Sequence, residues 1–285
     1  MDSHHRLAYR MLGSVEEAED VVQEARLKWH AHVDQSQVDS EDAYLFRMVA
    51  NLSVNRLRRL KRERRLYPGP WLPDPVLLEQ TDDGPDTTLA QAEDLSMGMM
   101  LMLERLSPAE RITFTLREAF DYSHEEIARL LGISASAARQ RSSRARQRMR
   151  QSPPPPRLPD AACREQLQAL LACVVQGDAE GLIAMLSEDA VALTDGGGLV
   201  SAAIIPIVER QRIATVTLHL GKKLWAEASD LKIHIEPMNG TLGLVLCDAG
   251  EIHSVILIAG TQGALTELYV MRNPQKLRHL SKRFC

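Results

Sequence analysis

Residues 123–150 read SHEEIARLLGISASAARQRSSRARQRMR, and this stretch decides the fold of the first half of the chain. Ser123 followed by Glu126 is a capping box, in which each side chain satisfies the other residue's free amide. Ile127, Leu130 and Leu131 mark a buried stripe, and Gly132-Ile133-Ser134 is a short turn whose serine can cap the next helix. Helix, tight turn, helix is the spacing of a helix-turn-helix. On the second helix, Ala138, Ala145 and Met149 share a narrow face, with Ala135 and Ser142 beside it, suited to packing on the first helix. The opposite face presents Ser136, Gln140, Ser143 and Gln147, edged by Arg139 and Arg144. Arginine pairs with guanine, glutamine with adenine, and serine permits close approach, so this face suits the major groove of DNA. Arg141, Arg146, Arg148 and Arg150 are assigned to phosphates. The plainer alternative is a solvated amphipathic helix.

Upstream, Ser107-Pro108-Ala-Glu110 opens another helix with a cap, proline at its first position and an acid at its third. Residues 1–66 are also helical. After the capping box Ser14-Val-Glu-Glu17, Ala18, Val22, Ala25 and Trp29 share one face, while Asp20, Gln23, Glu24 and Leu27 share another. Asp34 to Ser40 forms a polar loop. The helix that follows is acidic at its start and basic at its end, which complements the helix dipole. Leu45, Val49 and Leu52 form its buried stripe. The ten residues Arg56 to Arg65 carry seven basic groups and one acid, and Arg139 to Arg150 carry six arginines and no acid. The whole chain has a net charge of −4, which argues against a general polyanion binder. Two separate basic stripes on such a chain point to two contacts with one polyanion. Asn51, Asn55, Tyr44 and Phe46 near the first stripe suit unstacked bases; a solvated charge run, and core roles for the two aromatics, are the competing readings.

Pro68, Gly69, Pro70, Pro73, Pro75, Gly84 and Pro85 make residues 67–92 an irregular connector, yet Trp71 and Leu72 within it should dock somewhere. A second, proline-rich linker spans 152–159. Residues 160–285 read as helices (Leu167 to Val175, Leu182 to Leu186), a strand at Ala190 to Leu193, the turn Asp195-Gly-Gly-Gly198 and a mixed helical stretch near 200–220. Strands follow at 231–236, 242–246, 252–259 and 264–271, giving an α+β domain. Cys163, Cys173, Cys247 and Cys285 lack metal-site spacing and are expected to be reduced thiols, mostly buried. No apolar run is long enough for a bilayer, and no signal core precedes the first helix, so no membrane association and a cytoplasmic location are expected.

The segments Leu7-Ala-Tyr-Arg-Met-Leu-Gly-Ser14, Ala18-Glu-Asp-Val-Val-Gln-Glu24, Leu106-Ser-Pro-Ala-Glu-Arg111, Phe120-Asp-Tyr-Ser-His-Glu-Glu-Ile127 and Arg139–Arg146 resemble, in order, regions 2 and 4 of the sigma-70 family, extracytoplasmic-function (ECF) subfamily. Gly69-Pro-Trp-Leu-Pro-Asp-Pro75, Asp195-Gly-Gly-Gly198 and Asn273-Pro-Gln-Lys-Leu277 are similar to the linker, turn and tail motifs of ECF sigma factors with a fused SnoaL-like domain, a cone of the nuclear-transport-factor-2-like kind. The resemblance implies a multidomain chain: region 2 at 1–66, a linker at 67–92, the region 4 helix-turn-helix at 93–151, the proline-rich linker, and an α+β cone at 160–285. It implies core RNA polymerase and promoter DNA as partners, with no cofactor and no catalysis by the chain itself. Asp20, Val21, Gln23 and Glu24 would dock on polymerase. The 34–40 loop with Asn51, Asn55, Arg56, Arg59 and Arg62 would engage the minus-10 element. Ser136, Arg139, Gln140, Ser143 and Arg144 would read the minus-35 element. Trp71, Leu72, Pro73, Asp195, Gly196, Gly197, Gly198, Asn273, Pro274, Lys276 and Leu277 would form a regulatory contact in place of a separate anti-sigma factor. Leu199 stands where the family often has a basic residue, and Gln275 where it has Asp. The family also has more helix upstream of Leu7, so either the start lies further upstream or region 2 is shortened.

Two other readings remain open. Asp195, His219, His234, Asp248 and His253 would serve an enzyme or a sensor whose cone holds an unidentified small molecule. A one-component repressor would share the two-part layout, but needs neither the acidic helix nor the Arg56–Arg65 stripe.

Overall fold

The computed structural model describes residues 1–32, 38, 40–77, 95–151 and 153–284. Most of the 34–40 loop, residues 78–94 of the linker stretch, and Cys285 lie outside the described residues. By its contacts the chain divides into two compact units: residues 1–66 with 99–154, and residues 67–98 with 155–285.

The first unit is helical. It comprises α1 (Ser3–Leu12), α2 (Val15–His32), α3 (Glu41–Glu63), α4 (Met97–Glu104, whose first two residues belong to the other unit), α5 (Pro108–Glu118), α6 (His124–Leu131) and α7 (Ala135–Gln151). Local chemistry sets the helix ends. Ser40 accepts from the Ala43 amide, and Ser107 and Ser123 each form a complete capping box, with Glu110 and Glu126. Gly132 ends α6 in the left-handed conformation, which lets the chain turn at once into α7. Packing joins what the sequence separates into regions 2 and 4: α5 packs on α1 and α3, and α6 on α3. At that seam Phe46 stacks on Tyr122 and meets Phe120 edge-on, while the Arg6 guanidinium lies over the Phe120 ring.

The second unit is α+β, as the sequence predicts. Its elements are α8 (Asp160–Gln176), α9 (Ala179–Met185), β1 (Leu186–Asp195), β2 (Ile207–Val208), α10 (Arg210–Glu227), β3 (Lys232–Met238), β4 (Thr241–Asp248), β5 (Glu251–Thr261), β6 (Ala264–Met271) and α11 (Pro274–Phe284). The sheet order is β2-β1-β6-β5-β4-β3, antiparallel except for the parallel β1–β6 pair. The four later strands lie where alternation predicts them. The first strand is longer than its apolar centre suggests, and the helical stretch expected near 200–220 begins only at Arg210.

Strand alternation places Ala190, Ala192, Leu242, Leu244, Leu246, Ile258 and Leu268 on one sheet face, where they join Leu167, Leu170, Leu182 and Ile213 of the helices in a continuous core. Val245, Val255, Leu257, Tyr269 and Met271 alternate onto the other face and are equally buried. There α11 packs on β5, and residues 72–77 fasten along the unit through Asp195, Asn239 and Met238. An antiparallel sheet that is apolar on both faces needs cover on both, which explains why Leu72 and Val76 belong to this unit rather than to a free tether.

Candidate nucleic-acid interface and linker latch

In the helix-turn-helix, Ala138, Ser142 and Ala145 are buried. Ser136, Arg139, Gln140, Ser143, Arg144 and Gln147 are all exposed on the opposite side of α7. An open groove of about 670 Å³ runs along this side, lined by Arg139, Ser143, Arg146, Gln147 and Arg150. Internal pairs preset several side chains. Arg139 bonds Glu125 at 2.8 Å and Arg144 donates to Gln140 at 3.1 Å. Arg146 holds Glu118 at 2.7 Å and Arg148 holds Glu110 at 2.7 Å, which steers these two toward the flank of α7.

On α3, Asn51, Asn55, Arg59 and Arg62 are exposed at helical spacing on one face. Arg58, absent from the sequence-based set, belongs with them: it is exposed and donates to the Asn55 side-chain Oδ1 at 2.8 Å. Its place in the basic stripe was the available signal. Arg56 sits differently. It is only 18% exposed and points at α2, where it pairs with Glu17, with Asp20 at 3.6 Å and with Glu24 at 3.6 Å. Glu17 also takes Arg59 at 3.1 Å. Arg56 therefore faces three carboxylates of α2 rather than open solvent, and the candidate polymerase-docking acids Asp20 and Glu24 share it. Gln23 is exposed, whereas Val21 is 1% exposed in the core and cannot form part of a docking surface as the chain is folded. The candidate base platforms are likewise engaged: Phe46 is buried in the seam, and Tyr44 packs on Trp29.

In the α+β unit, the linker, turn and tail motifs converge on one carboxylate. Asp195 is fully buried. One of its oxygens accepts from the Tyr67 hydroxyl at 2.5 Å and the Gly197 amide at 3.0 Å. The other accepts from the Leu72 amide at 2.9 Å and the Lys276 ammonium at 2.8 Å. Lys276 also donates to the Leu72 carbonyl and lies 4.2 Å from the centre of the Trp71 ring. Asn273 donates to the Tyr67 hydroxyl at 2.9 Å and accepts from the Gln275 amide at 3.0 Å. Burial, reinforced by the bond to Asp195, pushes the Tyr67 phenol above its ordinary value, so it stays a donor. The glycines have a steric reason. Gly197 and Gly198 have left-handed φ, and a Cβ there would sit 2.2 Å from Asn273 Nδ2 and 2.7 Å from Pro68 Cγ respectively. Further along, the Val76 amide donates to Asn239 at 3.0 Å, and His279 bonds the Pro75 carbonyl at 2.8 Å. Tyr67, Asn239 and His279 are latch members that the motifs alone do not mark. Pro73 lies within the docked segment, Pro274 opens α11, Leu277 is buried, and Leu199 is exposed.

Of the residues proposed for a catalytic or sensing cone, Asp248 and His253 lie near enough for their charges to interact, and Asp195, His219 and His234 have other surroundings. Asp195 belongs to the latch, His219 is exposed on α10, and His234 packs on the Phe284 ring. Asp248 accepts from the Ser229 and Asp230 amides, and His253 lies 3.0 Å from Arg272. Among the described residues, no group of three or more His, Cys, Asp or Glu side chains is placed to hold a metal ion. Cys163 and Cys247 are buried and Cys173 is half-buried.

A helix-turn-helix with an exposed amide-and-arginine face, joined to a second helical segment carrying its own basic stripe, defines a promoter-recognition subunit of the sigma-70 class. Family models agree: sigma-70 region 2 matches residues 3–63, and sigma-70 region 4 matches residues 96–149. The chain is 34% identical over 220 residues to the ECF RNA polymerase sigma factor SigJ of Mycobacterium tuberculosis, covering 75% of this chain and 68% of that protein. It is 25% identical over 273 residues to the probable ECF RNA polymerase sigma factor SigI of the same species, covering 95% and 90%. The crystal structure of Mycobacterium tuberculosis SigJ superimposes with a TM-score of 0.72 at 28% identity, over 96% of this chain and 94% of that one. The chain belongs to the ECF sigma factors of RNA polymerase. Such a factor binds core RNA polymerase and directs transcription initiation at promoters.

Proposed function

We propose that this sigma factor reads its promoter with two surfaces and carries its own regulator. The exposed face of α7, with Ser136, Arg139, Gln140, Ser143 and Arg144, reads the minus-35 element. Asn51, Asn55, Arg59 and Arg62 of α3, joined by Arg58, engage the minus-10 element. Asp20, Gln23 and Glu24 dock on core polymerase, with Arg56 setting their positions. The factor works in the cytoplasm, where its polymerase is; no described helix is long and apolar enough to cross a membrane.

The α+β unit is the regulator, and one observation carries that reading: the buried Asp195 fastens residues 67–72 to the tail through Tyr67, Leu72 and Lys276. The linker joins the two halves of the helical unit, so its docking governs how freely they separate. The test is run-off transcription with core polymerase on DNA from upstream of the gene, comparing the parent chain with Asp195→Asn and Lys276→Met. Release of the linker raises transcript yield several-fold. Unchanged yield, in variants whose Leu72 amide has lost its exchange protection, contradicts the regulatory role.

A further inference from the structure

The C-terminal end of β6 leads into a cation for which the α+β unit supplies no counter-charge. Arg272 is half-buried, and its Nε is buried with no hydrogen-bond partner. Among the described residues no carboxylate pairs with it, and burial alone shifts its pKa, downward. A guanidinium stays charged in proteins, so a half-buried one without an anion is costly. Its other nitrogens are aimed by neighbours. Nη1 donates to the Ser201 carbonyl, and Nη2 lies 3.0 Å from His253 Nε2. Arginine can only donate, so His253 accepts there, and its Nδ1 proton goes to Ser254 Oγ at 3.2 Å. Burial, and then the Arg272 charge, lower the His253 pKa against the pull of Asp248, so the ring stays neutral. Asp248 itself is taken by the Ser229 and Asp230 amides. His253 is the extra residue of a β-bulge, since Leu246 pairs with Ser254 and Cys247 with Ile252; such a bulge re-aims a side chain.

The surroundings are apolar and adjoin the linker latch. Alternation puts Val270 on the face of Arg272, and its ladder partner Ile256 packs against the core. Leu199, Ile204 and Ile205 are exposed on the segment that carries the Ser201 carbonyl. Gly69 of the linker packs on that same segment, where a Cβ would lie 3.1 Å from Ile204 Cα. The amides of Arg272 and Asn273 both donate to the Asp195 carbonyl, at 2.7 and 2.9 Å.

We propose that Arg272 anchors an effector site that takes the carboxylate of an apolar monocarboxylic acid, and that occupancy loosens the linker latch. A carboxylate accepts two guanidinium N–H bonds at once and supplies the missing charge, so it displaces the neutral Ser201 carbonyl from Nη1. One cation among apolar side chains suits a singly charged acid with an apolar body, which Leu199, Ile204 and Ile205 can cover; inorganic phosphate brings more charge than one guanidinium balances. Once Ser201 is released, the 199–206 segment no longer offers Gly69 a fixed surface, and the linker loses that contact. The consequence for transcription rests on the regulatory reading of the latch; the binding site does not.

The full chain is titrated with octanoate, phenylacetate and benzoate while the Arg272 Nε–H signal is followed by NMR, with octanamide and inorganic phosphate as controls. At least one acid should shift that signal saturably, and neither control should. No saturable shift with any of the acids overturns the site, and an equal response to octanamide or phosphate overturns the carboxylate assignment. By calorimetry, Arg272→Met should weaken binding of the acid at least tenfold; a folded variant that binds as tightly as the parent overturns the role of Arg272. Should Arg272→Met not fold, the Nε–H signal of the parent chain decides. For the coupling, saturating acid should speed hydrogen exchange at the Leu72 amide at least tenfold, and unchanged exchange with the acid bound overturns it. An acid that speeds this exchange yet leaves run-off transcription unchanged removes the regulatory reading of the latch and leaves the site and its coupling standing.

Discussion

Asp195 shows how one side chain sets a whole contact. A carboxylate with no exposure is tolerated because an ammonium, a phenol and two amides satisfy it. Removing one partner of such a buried pair costs about 3–5 kcal/mol, so Asp195→Asn should undock the linker, seen as loss of exchange protection at the Leu72 amide. Arg139 and Gln140 belong to a different regime, since they are exposed and held only by the exposed pairs to Glu125 and Arg144. Replacing either with Ala should weaken promoter binding by about 1–3 kcal/mol and relax discrimination at one minus-35 position; uniform weakening across all sequences would reassign that residue to phosphate. Residues are also where sequence reading was weakest. Val21 follows Ala18 by three positions and precedes Ala25 by four, so it falls within the buried stripe of α2 and not on the acidic face. Arg56 looked like one more cation in a run, but only the fold shows that it is turned toward Glu17, Asp20 and Glu24.

Elements were the most legible level. Capping boxes at Ser107 and Ser123 and the glycine after α6 are local signals, and each appears in the structure as the chemistry requires. The strands of the α+β unit were readable because alternation needs no knowledge of partners. Over its described residues, 67–77, the linker has an irregular backbone, as its prolines and glycines predict; its docking is legible in the sequence only as a surplus of apolar side chains. Leu72 is fully buried, so Leu72→Ala should destabilise the α+β unit by about 2–5 kcal/mol, visible as a lower melting temperature of the whole chain. The fragment 160–285 should be less stable still, because it lacks the cover over the second sheet face. At the α4–α5 corner, burial opposes the charge of Glu104, but Arg111 and Arg64 prevail and hold its pKa at about 2. A carboxylate lowered in the folded state contributes stability above its ordinary value of 4.5, and that contribution is lost as pH falls toward 2. The ion pairs at this corner should therefore be indifferent to pH between 6 and 8 and lose their contribution progressively as pH falls from about 4.5 toward 2, read as a falling melting temperature of the whole chain.

At the scale of the molecule, charge placement matters more than charge sum. A chain with net charge −4 can bind DNA because its cations are gathered on α3 and α7 while its acids are spent on α2, on helix starts and on internal pairs. Several arginines that the sequence offers to phosphate are held internally, so the salt dependence of binding should be shallower than the number of arginines in the two stripes implies. The most direct test is to mix the chain with core polymerase lacking its own specificity subunit, on DNA from upstream of the gene, and to map the 5′ end of any RNA made. A single start, lost when Arg139 and Gln140 are replaced by Ala and lost again when the minus-35 sequence is scrambled, is the predicted result. Identical RNA with and without the chain would contradict it.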